Sequence, residues 1–348
     1  MRVWFDILTP KQVLFFGPLI QELRSSGADV LATSRRYREV GPLAERAGVE
    51  LEFVGERGGM GLDGQLLAAT KRQEEMIPIV KEFAPQVAVS TASAVCARVA
   101  FGLGIRHVAA NDSPHSEVAD RLSLPLTHHL LCPWVIPYGA WARFGLGRTQ
   151  ITTYHALDPA AWLKREPLPG PVPNLDRSRK TVTVRVQETD APYLAGADKG
   201  WIDVVLTSLL DAFPDANLVA LCRYDYQVDQ IRSKFGARWM VPDEVVSGHD
   251  LLAATDLFVG MGGTMNAEAA LMGVPTISTF QGSLYTDRYL ESKGLLKRAR
   301  TRSRLVSLAE ESIVRKDAVA RRARRVLDSM EDPVPKISRL VKKTANQA

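Results

Sequence analysis

The sequence predicts an α/β chain folded as two doubly wound domains that face each other across a cleft. Short apolar runs alternate with amphipathic segments from Val3 to Cys132, the pattern of a parallel sheet with helices on both faces. Clustered prolines interrupt the alternation between Trp162 and Lys180, and it restarts at Thr181. At 348 residues the chain also exceeds what one hydrophobic core usually serves.

The elements follow in order. Val3–Leu8 reads as a buried strand. After the turn Thr9–Gln12, a helix carries Leu14, Phe15, Leu19, Ile20 and Leu23 on one face and stops at Gly27. Val30–Thr33 is a second strand, Pro42–Ala47 a short helix ended by Gly48, and Val49–Val54 a third strand. The five glycines between Gly55 and Gly64 make a loop. Gln65–Phe83 is a helix bent at Pro78, followed by strand Val87–Val89, helix Ala94–Phe101, strand His107–Ala110, helix Glu117–Thr127 and strand Leu130–Cys132. Pro167, Pro169, Pro171 and Pro173 can continue neither ladder nor helix, so 163–180 reads as a linker. The second domain, 181–330, runs strand Thr181–Val186, helix Trp201–Phe213, strand Leu218–Cys222, helix Tyr226–Phe235, strand Leu257–Val259, helix Met265–Leu271 and strand Pro275–Ser278, then helices. The tail 331–348 is expected to be helical and to pack back on the first domain, 1–162.

Composition narrows the function. Apolar residues are 46% and charged residues 24% of the chain, which is ordinary for a globular protein. The net charge of +5 comes largely from basic residues between Lys293 and Arg325. These read as a solvated helix face or as a surface drawn to anionic lipid or phosphate, and nucleic acid is not expected as a partner. Cys96, Cys132 and Cys222 lie far apart with no metal-binding spacing, and suit a reducing, cytoplasmic setting. No Gly-x-Ser-x-Gly elbow, Walker loop or dinucleotide glycine fingerprint occurs. No metal site and no tightly bound cofactor is expected.

The strongest local signal is Gly260-Met261-Gly262-Gly263-Thr264-Met265-Asn266-Ala267-Glu268, which follows an apolar strand and opens a helix. Glycines let backbone approach a ligand closely, and a helix start offers amide hydrogens and a positive dipole end to phosphate. Gly262, Gly263, Thr264 and Met265 are therefore candidate phosphate ligands, and Glu268, one turn on, a candidate for a ribose diol. The alternative reading is a structural turn capped by Thr264. Arg185, a charge inside a β-branched strand, needs a partner, either phosphate or a structural carboxylate. Asn111, Asp112 and His115 follow the strand ending at Ala110, where loops line a ligand crevice. Asp112 and His115 form a candidate acid–base pair; the stretch also reads as an Asx turn opening the next helix, and the two readings can coexist. Asp6 is expected to cap the Thr9–Pro10 turn.

The run Gly263-Thr264-Met265-Asn266-Ala267-Glu268-Ala269-Ala270-Leu271-Met272-Gly273-Val274-Pro275 resembles that of the domain-of-unknown-function 354 family. Asp6–Pro10 with Phe15–Ile20, Asn111–His115 and Thr183–Arg185 resemble the same family, so the likeness covers nearly the whole chain. The family in turn resembles GT-B enzymes, above all the peptidoglycan N-acetylglucosaminyltransferase and the UDP-N-acetylglucosamine 2-epimerases. The resemblance implies a GT-B-type chain of two Rossmann-like domains, with diphosphate at Gly262, Gly263 and Thr264, ribose at Glu268, and the donor sugar beside Gln281, Ser283 and Asp287. The chain departs from the family where Gln12, Arg57 and Pro114 stand in place of His, His and Glu. Gln12 can still hydrogen-bond a substrate but cannot take a proton near neutral pH.

The function expected is transfer of a hexosyl or N-acetylhexosaminyl group from a nucleotide sugar, most simply a UDP-sugar, to a sugar or lipid-linked acceptor, without a metal. The alternatives are a 2-epimerase, which Ser90–Ser93 disfavours by offering no carboxylate, and a binder without turnover, suggested by Gln12, Arg57 and Pro114.

Overall fold

The computed structural model describes residues 1–36, 39–56, 58, 61–187 and 200–347; Arg57 lies outside them. The chain forms two compact units, Met1–Arg165 with Glu331–Ala348, and Glu166–Met330.

The first unit runs β1 (Arg2–Asp6), α1 (Pro10–Ser25), β2 (Asp29–Arg36), α2 (Val40–Arg46), β3 (Glu52–Glu56), α3 (Leu62–Phe83), β4 (Val87–Ser90), α4 (Ala94–Gly102), β5 (Arg106–Ala110), α5 (Glu117–Ser123), β6 (His129–Pro133), α6 (Tyr138–Ala142), β7 (Ile151–Tyr154) and α7 (Ala160–Leu163). Its seven strands are parallel in the order β3-β2-β1-β4-β5-β6-β7. The order reverses between β1 and β4, so the carboxyl ends of those strands form a topological switch point.

Several boundaries differ from the sequence expectation for local reasons. β3 starts at Glu52 rather than Val49, because the Val49 amide donates to the Ala44 carbonyl and Gly48 adopts φ 63°, which closes α2. α5 stops at Ser123, ahead of Pro125, and the chain continues as a 3₁₀ turn over Leu124–Leu126. α1 begins at Pro10, whose fixed φ suits the first helical position, so Lys11 and Gln12 lie in its first turn rather than in a loop. Asp6 does not cap that turn: Gln12 does, its Oε1 accepting from the Leu8 amide at 2.5 Å.

Asp6 instead anchors the switch point. Its fully buried carboxylate accepts from Arg72 Nη2 at 2.6 Å, Arg72 Nη1 at 3.1 Å, Ser93 Oγ at 2.6 Å and Thr33 Oγ1 at 2.9 Å. Arg72 Nε donates to the Val54 carbonyl, and the Ser93 hydroxyl also caps α4 by accepting from the Cys96 amide. One charge thus ties β1 to β2, β3, α3 and α4. Burial opposes ionisation of Asp6, but the Arg72 guanidinium and the hydroxyl donors outweigh it and hold the carboxyl below its ordinary value.

The second unit runs β8 (Thr181–Arg185), α8 (Trp201–Ala212), β9 (Asn217–Leu221), α9 (Asp225–Phe235), α10 (Gly248–Ala253), β10 (Leu257–Gly260), α11 (Thr264–Leu271), β11 (Thr276–Ser278), α12 (Tyr285–Ser292), β12 (Leu296–Arg298), α13 (Arg302–Val314) and α14 (Lys316–Ser329). Five parallel strands lie in the order β12-β11-β10-β8-β9, with the switch point between β8 and β10. Val182, Val184, Val205, Leu209, Val259 and Ile277 fill its core. Much of the proline-rich stretch packs on this unit rather than bridging freely. The Ser247 amide donates to the Pro171 carbonyl, Asn217 Nδ2 donates to the Asp176 carbonyl, and Leu175 joins an apolar cluster with Val219 and Leu251. The chain then returns to the first unit, where α15 (Val334–Ala345) buries Val334, Ile337 and Val341 and packs against α1, β4 and β5. Arg165 pairs with Asp332 at 2.8 Å where the returning chain enters. Among the described residues, no helix is long and apolar enough to cross a membrane.

Arg72→Met leaves the Asp6 charge buried without its partner, and should cost roughly 3–5 kcal/mol in urea unfolding; a loss below about 1 kcal/mol would mean that water reaches Asp6. Because the folded-state pKa of Asp6 is depressed, the pair's contribution is complete above pH ~4 and is lost as pH falls through the folded value. Acid unfolding of the wild type should therefore show a stability loss below pH ~4 that Asp6→Asn does not share.

Candidate functional site

In the second unit the candidate site is the end of β10, beside the end of β8. Gly260 pairs with Arg185 in register, and the Met261 amide donates to the Arg185 carbonyl. The chain then turns through Gly262 at φ 108° and Gly263 at φ 92°, both in the left-handed region that excludes side chains. α11 starts immediately, and no side chain caps its first turn among the described residues. A Cβ placed on Gly263 would meet nothing within 4 Å, whereas one on Gly262 would sit 3.1 Å from the Phe280 ring. The helix start is thus open on the Gly263 side and backed by Phe280.

A buried polar network holds this turn. A Cβ on Gly260 would fall 1.6 Å from Asn266 Oδ1, so only glycine lets Asn266 pack there. Asn266 Nδ2 reaches Ser278 Oγ at 3.2 Å and Asp287 Oδ2 at 3.3 Å, and the Ser278 hydroxyl donates to Asp287 at 3.0 Å. Burial pushes the Asp287 carboxyl up. The network links β11 and α12 to the first turn of α11. The sequence offered Asp287 to the donor sugar with Gln281 and Ser283; it is instead buried and turned inward onto Asn266 and Ser278. Asn266 was passed over, its signal a polar residue in a helix otherwise built for burial.

The remaining candidates of this unit are dispersed. Glu268 is buried one turn along α11, and Thr264 is half-buried at its start. The Met265 side chain packs into the apolar clusters around Phe258 and Leu251. Arg185 Nη1 reaches the Cys222 carbonyl at 3.3 Å. Gln281 and Ser283 are exposed on the loop after β11, and Ser283 Oγ accepts from Arg288 Nε at 2.7 Å. Arg298 on β12 braces that loop by donating to the Phe280 and Gly282 carbonyls.

In the first unit the loops after β5 and β7 converge on Lys11. Its ammonium lies 2.5 Å from Asp112 Oδ1 and 2.8 Å from Asp158 Oδ2, and the Tyr154 hydroxyl donates to Asp158 Oδ1 at 2.5 Å. All three charges are largely buried. Lys11 and Asp158 escaped sequence reading because β7, which delivers Tyr154 and Asp158, went unseen. Its four residues Ile-Thr-Thr-Tyr carry too little apolar pattern. Burial works against the Asp112 charge, but Lys11 prevails and keeps the carboxyl ionised well into the acid range. Asp158 moves the other way, raised by burial and by Asp112. Burial also lowers His115, so its imidazole is neutral at pH 7 and can accept a proton. Asn111 faces inward: its Oδ1 accepts from the Ser113 amide at 2.9 Å and its Nδ2 donates to Asp120 at 2.8 Å, an Asx turn under Asp112 and His115. Gln12 spends its side-chain carbonyl on Leu8, as described. No group of three or more His, Cys, Asp or Glu with metal-binding geometry occurs among the described residues.

Comparison with known proteins places these units in a recognisable setting. The family model described as "Protein of unknown function (DUF354)" matches residues 1–346. An uncharacterised protein of Methanocaldococcus jannaschii is 26% identical over 322 residues, covering 90% of this chain and 92% of its own. Among solved structures, the UDP-GlcNAc 2-epimerase of Neisseria meningitidis bound to UDP-GlcNAc superposes with a TM-score of 0.74 at 12% identity, covering 100% of both chains. The spinosyn rhamnosyltransferase SpnG complexed with thymidine diphosphate superposes with a TM-score of 0.63 at 15% identity, covering 98% of this chain and 100% of its own. At such identities the likeness concerns the fold, which is that of GT-B glycosyltransferases and of these epimerases.

Gly260→Ala forces the alanine methyl into Asn266 and should destabilise the second unit by ~3 kcal/mol or more. Gly263→Ala has space and incurs only left-handed strain, roughly 1–2 kcal/mol. Urea unfolding monitored by tryptophan fluorescence separates them; equal losses would remove the Gly260–Asn266 contact as the determinant of the turn.

Proposed function

This chain belongs to the DUF354 family, and from that membership and the geometry above we propose that it binds a nucleoside-diphosphate sugar, a UDP-sugar in the simplest case, and transfers the glycosyl group to an acceptor hydroxyl. The observation that carries the reading is the pair of left-handed glycines, Gly262 and Gly263, at the switch point of the second unit, opening a helix that no side chain caps among the described residues. Backbone amides there point where an anion can sit, and the helix dipole favours negative charge. Glu268 is assigned to the ribose, Thr264 and Arg185 to the diphosphate, and Gln281 and Ser283 to the donor sugar. These amides and the guanidinium supply positive potential to the leaving diphosphate, so the reading asks for no metal ion and no further cofactor. The names of the two structural relatives, with UDP-GlcNAc and thymidine diphosphate bound, support a nucleoside diphosphate as the common ligand chemistry.

His115 is assigned as the base. It takes the proton of the acceptor hydroxyl while that oxygen bonds to the anomeric carbon, and the bond from that carbon to the diphosphate oxygen breaks, its electron pair leaving with the diphosphate. Asp112 is too firmly ionised beside Lys11 to serve as the stronger base, and orients the imidazole instead. A second reading, epimerisation at the sugar 2-position, is favoured by the higher TM-score of the epimerase. Against it, Ser90–Ser93 offer no carboxylate, and the nearest one, Asp6, is sealed by Arg72.

Titration calorimetry with UDP should show binding that Glu268→Ala weakens at least ~10-fold, or about 1.4 kcal/mol; unchanged affinity would remove the ribose assignment. Mass spectrometry of the protein with UDP-, GDP- and dTDP-sugars, with and without lipid and polysaccharide acceptors, then separates the readings. Diphosphate release that requires an acceptor supports transfer, isomer interconversion supports epimerisation, and binding without turnover leaves a carrier. If transfer is found, protonation of His115 should lower its rate only at pH values below the ordinary imidazole value of ~6.5, because burial lowers the pKa of that group. His115→Gln should lower it by ~10²–10⁴-fold.

A further inference from the structure

We propose that Asp120 is a positioning residue that exchanges a proton beneath the Asn111–His115 turn and so sets how that turn presents Asp112 and His115. It rests on the preceding reading only for its functional consequence; its structural content concerns the first unit alone. Asp120 lies on α5 with no exposed surface. One carboxyl oxygen, Oδ1, accepts from Asn111 Nδ2 at 2.8 Å. The other, Oδ2, is buried without any hydrogen-bond partner. A bare oxygen of this kind is far more costly on a carboxylate than on a neutral acid.

The charged neighbours do not relieve it. Arg143, after α6, favours the ionised form but donates its Nη2 to the Pro114 carbonyl at 2.5 Å, inside the same turn. Asp112 opposes ionisation. On α5 itself, Glu117 and Arg121 pair with each other at 2.6 Å. On α4, which packs against α5, Arg98 is the one charged residue and is exposed. Burial therefore dominates and raises the carboxyl to about 7.

From Asp120 the hydrogen bonds run unbroken to the candidate acid–base groups. Asn111 links Asp120 to the Ser113 amide, the Ser113 hydroxyl donates to Asp112 Oδ1 at 2.6 Å, and Asp112 meets Lys11. With Asp120 protonated, Arg143 stays on Pro114 and the turn is closed from both sides. Ionisation places a charge on Oδ2, and Arg143, the cation that favours that form, is drawn toward it and away from its present geometry on the Pro114 carbonyl. The turn then loses the brace on the residue adjoining His115. The closed turn belongs to the lower pH and loosens as pH rises through about 7.

The test reads the turn directly, without any substrate. In the wild type the His115 ring signals, followed by NMR and assigned with His115→Gln, should show two inflections, the ring's own and a second near pH 7. Asp120→Asn keeps an acceptor for Asn111 and is permanently neutral, so it should lose the second inflection and hold the low-pH chemical shift above pH 7. Superimposable titration curves for wild type and Asp120→Asn would overturn the proposal. Should that variant fail to fold, the assigned Asp120 carboxyl carbon of the wild type decides: a midpoint near 7 supports the proposal, and a midpoint near the ordinary aspartate value of about 4 overturns it.

Discussion

The contact between the bare α-carbon of Gly260 and the buried amide of Asn266 governs the second unit's candidate site. It lets the first turn of α11 sit directly on the end of β10, leaving the intervening residues so short a path that Gly262 and Gly263 must take left-handed dihedrals. Asn266 in turn is held by Ser278 and Asp287, so the orientation of the helix start is set by β11 and α12 as well as by its own strand. In the proposed reading, a helix terminus held by these contacts would present its amides to an anion without reorganisation, where electrostatic stabilisation is most effective.

The first unit uses its switch point differently. There the crevice between β1 and β4 is occupied by the chain's own Asp6–Arg72 pair, and the hydroxyl donors leave no lone pair of Asp6 facing outward. The titratable groups with capacity to spare have moved to the loops after β5 and β7, around Lys11. Two units of similar winding thus differ at their carboxyl edges, one keeping an open glycine turn and the other a cluster of acids and bases. The family's departures fall in this second class. Gln12 is absorbed into closing its own turn, and Pro114 contributes its carbonyl to Arg143 rather than a side chain to solvent.

Charge balance in that cluster also explains why Asp112 and His115 differ in charge. One lysine between two carboxylates cannot neutralise both, so the nearer carboxylate, Asp112, stays ionised and the other is pushed toward protonation. His115 loses more basicity to burial and to Lys11 than the Asp112 charge restores, and remains a neutral acceptor near pH 7.

Much was legible in the sequence because it depends on near neighbours along the chain. Alternating apolar runs and helical faces specify parallel layers, prolines punctuate them, and the glycines before Thr264 mark a turn that only left-handed backbone can make. The glycine-rich helix start and the Asn111–His115 turn were identifiable on those grounds alone. Short strands with mixed composition, β7 and β12, were not, since three or four residues carry no reliable period and gain their identity from the strand beside them. Nor could sequence pair Asp6 with Arg72, Lys11 with Asp158 or Asn266 with Asp287, because each pair is joined through space by the winding of the sheet. The sequence by itself determined the class of fold and the place where glycines turn the backbone into a helix start. Which charges are sealed, which are shared and which keep a proton near neutrality was decided by the tertiary structure, because burial and partner distance exist only once distant segments have been packed together.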